Sequence, residues 1–229
     1  MNNFRPQVRH FLACVFLFFG CGSTSATGAH GSKAPTSSSH VQAALRAIPA
    51  SAAVVVTIAS PEAFWEFLVD GGLVPMDSKI VRTYQDELRA HFDRHLGLDI
   101  SLTSSVVGAV IIDQKNPEGL IVAYPVHGQL RSKQHRIENK LLFLNDSYVV
   151  TLEGQHLIAG SYQSVQSALQ VLKGQGKSIQ DAGAFGSFVQ SQMKGAYLSV
   201  SADVSKLPLP PNPITPDITY GSLRVTSIA

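Results

Sequence analysis

At 229 residues, with 45% hydrophobic and 15% charged side chains, the chain is long enough to bury a sizeable core and too apolar to be disordered. Its formal net charge is +2, and Arg5 and Arg9, in an opening stretch without acids, account for it: the other 16 basic side chains meet 16 acidic ones. A neutral remainder argues against nucleic acid as a partner, because binding phosphates needs a basic face.

Residues 11–19 form an apolar run of nine. A spanning helix needs roughly 20 such residues, so residues 1–20 read as an export signal peptide instead. The run ends Phe18-Phe19-Gly20-Cys21. This resembles the lipobox of bacterial lipoproteins, in which a small residue precedes a Cys that is diacylated and becomes the new N-terminus. Gly20 and Cys21 match that pattern, and Phe18 stands where Leu is usual. The resemblance covers the first two dozen residues. It implies lipidation at Cys21 and a membrane anchor in the bacterial cell envelope. Gly22 offers no Asp-type inner-membrane retention signal, which implies the periplasmic face of the outer membrane. The alternative is ordinary cleavage further on, for instance after Ala29, giving a secreted or periplasmic protein. Cys14 lies inside the apolar run, so either route leaves a mature chain without a disulfide.

Residues 21–40 are rich in Gly, Ser, Thr and Ala and read as a flexible tether. An α+β domain is expected over residues 41–206. Residues 41–48 suit a short helix stopped by Pro49. Val54, Val55, Val56 and Ile58 are β-branched and suit a buried strand. Ser60 then offers an N-cap, Pro61 takes the first helical position, and Phe64, Phe67 and Leu68 supply an inner face before Gly71-Gly72. A longer helix is predicted over residues 77–96. Ile80, Tyr84, Leu88 and Phe92, four apart, predict its buried stripe, to be packed on strands 54–58 and 107–112.

Apolar runs 106–113 and 120–126 flank a polar turn, Gln114-Lys-Asn-Pro-Glu-Gly119, and predict a hairpin. Residues 129–140 carry Arg131, Lys133, Arg136 and Lys140 against Glu138, either a solvated loop or a basic contact surface. Residues 141–158 continue as a meander. Residues 155–173 then repeat the earlier pattern: strand, a Ser161 cap, and a helix with Val165, Ala168, Leu169 and Leu172 at helical spacing. A weaker helix with Gly183 and Gly186 follows at 182–193, its stripe being Phe185, Phe188, Val189 and Met193, and a strand closes at 196–203. Residues 207–229 hold Pro208, Pro210, Pro211, Pro213 and Pro216, then one last strand from 218. That ending suits a truncated chain or a C-terminal edge strand.

The expected fold is therefore α+β: a mostly antiparallel sheet of about seven strands with helices on one face. It contains either two related strand–helix–helix–strand units or a chance recurrence of strand–helix alternation. The layout also resembles the uncharacterised exported α+β lipoproteins of Gram-negative bacteria. Ile48-Pro49, strand 54–58, Leu96-Gly97-Leu98-Asp99 and residues 156–161 carry that likeness, which brings no activity.

Chemistry is sparse. Glu87, His91 and His95 stand four apart on the long helix, and His at i and i+4 is a zinc spacing. Phe92 follows His91 where a metalloprotease helix would need its general-base Glu. A row of three spans about 12 Å at 1.5 Å per residue, too far for one ion to touch all of it. The competing reading is a polar stripe supported by Arg82–Asp86 and Arg89–Asp93 pairs. Ser191-Gln-Met-Lys194 matches Ser-x-x-Lys, but at a helix end and without companion motifs. His127 and His156 lie on strand ends, and Trp65 and Tyr162 open the two main helices as packing residues. No catalytic set and no cofactor site is expected. The leading reading is a non-catalytic, tethered envelope module that binds a protein or an envelope polymer. The alternative is a metal-dependent envelope enzyme using His91 and His95.

Overall fold

The computed structural model describes residues 39–72, 78–113, 116–132, 135–145, 147–207 and 219–226. Within these, ten strands form one antiparallel sheet. They are β1 (Ala52–Ile58), β2 (Leu98–Ile100), β3 (Val106–Asp113), β4 (Asn116–Gly128), β5 (Ile137–Glu138), β6 (Leu141–Phe143), β7 (Tyr148–Glu153), β8 (His156–Ser161), β9 (Ala196–Asp203) and β10 (Tyr220–Thr226). The helices are α1 (Ser39–Arg46), α2 (Pro61–Asp70), α3 (Ser78–Leu96), α4 (Tyr162–Leu172) and α5 (Gly183–Met193). The spatial order is β10-β9-β1-β3-β4-β8-β7-β6-β5, with β2 added beside β4.

The α+β class and the antiparallel sheet agree with the sequence. The hairpin β3–β4 pairs Val107 with Ala123 and joins the meander through β4–β8, where Ile121 faces Gly160. β4 begins at Asn116, so the strand already includes part of what reads as a turn. Gly160 is required here, because a Cβ would collide with the Leu120 carbonyl oxygen across the pair.

The helices occupy both faces of the sheet, not one. Side chains alternate along a strand, so the assignment follows from the core clusters. Val55, Val107, Ala109, Ile121, Ala123, Ile158 and Val149 point to one face and pack with α1, α4 and α5. Leu142, Val150, Leu157 and Ala159 point to the other and pack under Phe92 and Leu96 of α3. At the far end of that second face, Val56, Ile58 and Leu198 pack with Phe64 of α2. A sheet apolar on both sides must bury both.

The buried stripe of α3 is offset by one residue from expectation. Ile80 and Tyr84 are 48% and 62% exposed. Val81, Gln85, Phe92 and Leu96 are buried, and Leu88 is half-buried. The helix rests on β4, β8, β7 and β6 rather than on β1 and β3. Polar Gln85 on the inner side hides this register from a count of apolar residues. Asp77 lies outside the described residues.

The two Ser caps also differ. Ser60 accepts from the Ala63 amide at 3.2 Å and donates to the Leu102 carbonyl at 3.3 Å. Ser161 makes no cap to the backbone; its hydroxyl donates to Ser164 Oγ at 2.8 Å. In α5 the stripe is as read, with Phe185, Val189 and Met193 buried. Gly186 lets the helix approach the 3-10 turn at Ile179–Asp181, since a Cβ there would strike the Ile179 carbonyl oxygen. Past β9, Lys206 Nζ donates to the Ala50 and Ala52 carbonyls at 2.9 and 3.2 Å and pairs with Asp203 at 3.2 Å. That ties the end of β9 to the start of β1.

Candidate functional site

The candidate site is the C-terminal half of α3 and the segment laid across its end. α3 stops at Gly97, whose φ of +67° belongs to the left-handed region and is cheap only for glycine. Beyond β4 the chain returns to this stop: the Arg131 amide donates to the Leu96 carbonyl at 2.9 Å. The Arg131 side chain lies where a Gly97 Cβ would be, so the glycine also admits the arginine. Four residues further on, His135 comes within electrostatic reach of His95.

His91 and His95, one turn apart, bring their ring centroids to 4.4 Å. The His91 pKa is lowered from 6.5 by burial first, then by the charges of His95 and Arg94. The His135 pKa is lowered by burial and by His95. Both shifts favour the neutral imidazole, the form that accepts a proton or binds a metal. Two neighbouring imidazoles make half of a tetrahedral zinc set. Among the described residues, no group of three His, Cys, Asp or Glu side chains is placed to hold a metal ion. Glu87, one turn earlier on α3 and exposed, therefore does not complete a site with His91 and His95.

Other expected groups fall elsewhere. Arg89 pairs with Asp86, three residues before it, at 3.4 Å, where the spacing had suggested Asp93. In the basic stretch, Arg136 meets Glu138 at 3.4 Å and sits 4.5 Å from the centre of the Phe143 ring. Its charge is thus partly met inside the segment. Ser191 donates to the Phe188 carbonyl at 2.7 Å, its own preceding helical turn, so the Ser-x-x-Lys spacing assembles no nucleophile. Tyr162 is exposed and stacks on Phe143 with centroids 6.1 Å apart. His127 is exposed on β4. Cys21 and the proline-rich residues 208–218 lie outside the described residues.

Sequence reasoning missed His135. Its only signal is its place in the basic stretch, and nothing local says that this stretch returns to the end of α3. No helix among the described residues is long and apolar enough to cross a membrane. No protein-family model, no curated protein and no solved structure matches this chain.

Proposed function

We propose that this protein is a non-catalytic, lipid-anchored module of the bacterial cell envelope that binds a protein or an envelope polymer. The observation that carries the reading is the succession of Arg5 and Arg9, the apolar run at 11–19 and Gly20-Cys21. A spacer composition follows it over residues 22–40. The domain is then packed from its first helix onward, with Val41, Ala44 and Leu45 of α1 buried. That is the layout of a body hung from an anchor. The test is fractionation of cells expressing the full chain and its Cys21→Ala variant. The wild type is expected in the outer-membrane fraction and the variant outside it. A variant that stays in the membrane defeats the reading.

The second reading, a metal-dependent envelope enzyme, draws on the 4.4 Å contact of His91 and His95. Metal analysis of the purified protein separates the two. Stoichiometric zinc that disappears in His91→Ala favours the enzyme, and co-purification of one specific envelope partner favours the binding module.

A further inference from the structure

The two ends of the sheet are finished differently. One end is β5, two exposed residues of which Glu138 is paired with the preceding Arg136. Short, charged edges of this kind resist pairing with another strand. The other end is β10, seven residues long, with no proline, lysine or acid. Its irregularity falls only at its last step, between Val225 and Thr226.

The inner side of β10 pairs with β9, setting Gly221 against Ala202 and Leu223 against Val200. The Val204 amide donates to the Thr219 carbonyl at 2.9 Å. That bond sets the phase of the ladder, because directly bonded pairs alternate along antiparallel strands. Thr219, Gly221, Leu223 and Val225 therefore turn their backbone groups to β9. Tyr220, Ser222 and Arg224 turn theirs outward, and no described strand meets them. Leu223 shares a face with Val200 and Leu198 yet is 58% exposed. Among the described residues the apolar row ends at this edge.

We propose that β10 pairs antiparallel with β10 of a second copy of this chain, about a two-fold axis at Leu223. Five two-fold registers join the outward-facing groups of Tyr220, Ser222 and Arg224 to one another, with the axis at Tyr220, Gly221, Ser222, Leu223 or Arg224. The first two carry Leu223 past the end of β10 in the second copy, and side-chain chemistry selects among the other three. An axis at Arg224 sets guanidinium against guanidinium, which is repulsive. An axis at Ser222 sets Leu223 against Gly221 and leaves it uncovered. The axis at Leu223 bonds Ser222 to Arg224 of the second copy, and the reverse. It brings the two Leu223 side chains together at the closer, non-bonded spacing of about 4.5 Å between Cα atoms. The Ser222 and Arg224 side chains already lean back onto the α5 end of their own copy, through Gln192 Oε1 at 3.1 Å and the Lys194 carbonyl at 2.6 Å. They leave the seam clear. The pairing rests on the fold alone, so it stands or falls separately from lipidation at Cys21.

The experiment is light scattering of the purified full chain in detergent at micromolar to tens-of-micromolar concentration. A dimer is expected. Ser222→Pro removes an outward N–H and leaves the β9 ladder whole, and Leu223→Lys sets two ammonium groups face to face; each is expected to give a monomer with unchanged circular dichroism. Leu223→Cys keeps the test decisive should either variant misfold. On mild oxidation it is expected to give a cross-linked dimer that the wild type does not, since the Cα spacing at the axis suits a disulfide. A monomeric wild type, a dimer that survives both natively folded variants, or a Leu223→Cys chain that does not cross-link overturns the proposal. A monomer that instead captures a strand of a different protein overturns it equally.

Discussion

The two strand–helix–helix–strand stretches start alike and close differently. In the first, β1 and β3 are neighbours, and α2 and α3 lie on one face of the sheet, α2 over β1 and β9 and α3 over β4, β8, β7 and β6. In the second, β4, β3 and β1 stand between β8 and β9. Its helices α4 and α5 must therefore carry the chain across the opposite face, from one half of the sheet to the other. The exits differ as well: Ala59 and Ser60 separate β1 from α2, while α4 begins directly after β8. The same local pattern of apolar strand, Ser and amphipathic helix thus serves both a closed unit and a crossover. What differs is the face, and a face in a sheet is decided by single-residue register.

The largest expected effects test whether the two helical layers carry equal weight. Phe92→Ala in α3 and Phe185→Ala in α5 should each cost about 3–5 kcal/mol, the range for emptying an aromatic core site. Tyr84→Ala, on the outer side of α3, should stay within about 0.5 kcal/mol, as exposed changes do. Chemical denaturation of the three variants checks this. If Tyr84→Ala proves the costly one, the offset of the buried stripe is wrong and α3 is turned by about 100°.

Next comes Gly186→Ala. The added methyl meets the Ile179 carbonyl, so α5 must shift from the 3-10 turn, at about 1–3 kcal/mol for an overpacked site. A variant as stable as wild type would mean that the approach of α5 is loose. A smaller effect separates the two exits. Ser60→Ala should cost about 1 kcal/mol and speed exchange of the Ala63 amide, because a true N-cap is lost. Ser161→Ala should leave exchange in the first turn of α4 unchanged, since that hydroxyl serves Ser164 instead.

The smallest effects concern unmet and repelled groups. The Tyr124 hydroxyl is buried and has no hydrogen-bond partner among the described residues, and burial raises its pKa well above 10.0. Tyr124→Phe is expected to be neutral or stabilising by about 1 kcal/mol, because it removes a desolvated polar group. A clear loss of stability would point to a bridging water. For His91 and His135 the folded pKa lies below 6.5, so between the two values the unfolded chain holds more protons. Their contribution to stability is full above 6.5 and is lost as the pH falls through that window. NMR titration should place both midpoints below 6.5, and His95→Gln should raise both. Unmoved midpoints would show that His95 does not act on them.

Much of the element order was legible because its signals are local. Proline at 61, glycine at 97 and the β-branched run at 54–58 act within a turn or a strand. The stripe of α5 was legible too, since Phe185, Val189 and Met193 are apolar at helical spacing. The stripe of α3 was not. Ile80 and Tyr84 compete with Val81 and Gln85 for the same sheet, and only tertiary packing chooses a row that contains a glutamine. The division of helices between faces was hidden for the same reason, because both sides of β7 and β8 are apolar. At the candidate site, His91 and His95 were visible as a pair, while His135 arrives through a backbone bond from Arg131 to Leu96 that no spacing announces.

The anchored-module reading turns on one chemical fact, the state of the mature N-terminus. Mass spectrometry of the protein recovered from membranes addresses it directly. The account expects an N-terminal Cys21 carrying the mass of its acyl chains, with residues 1–20 removed. An unmodified N-terminus at or beyond Cys21, such as one starting after Ala29, would contradict it.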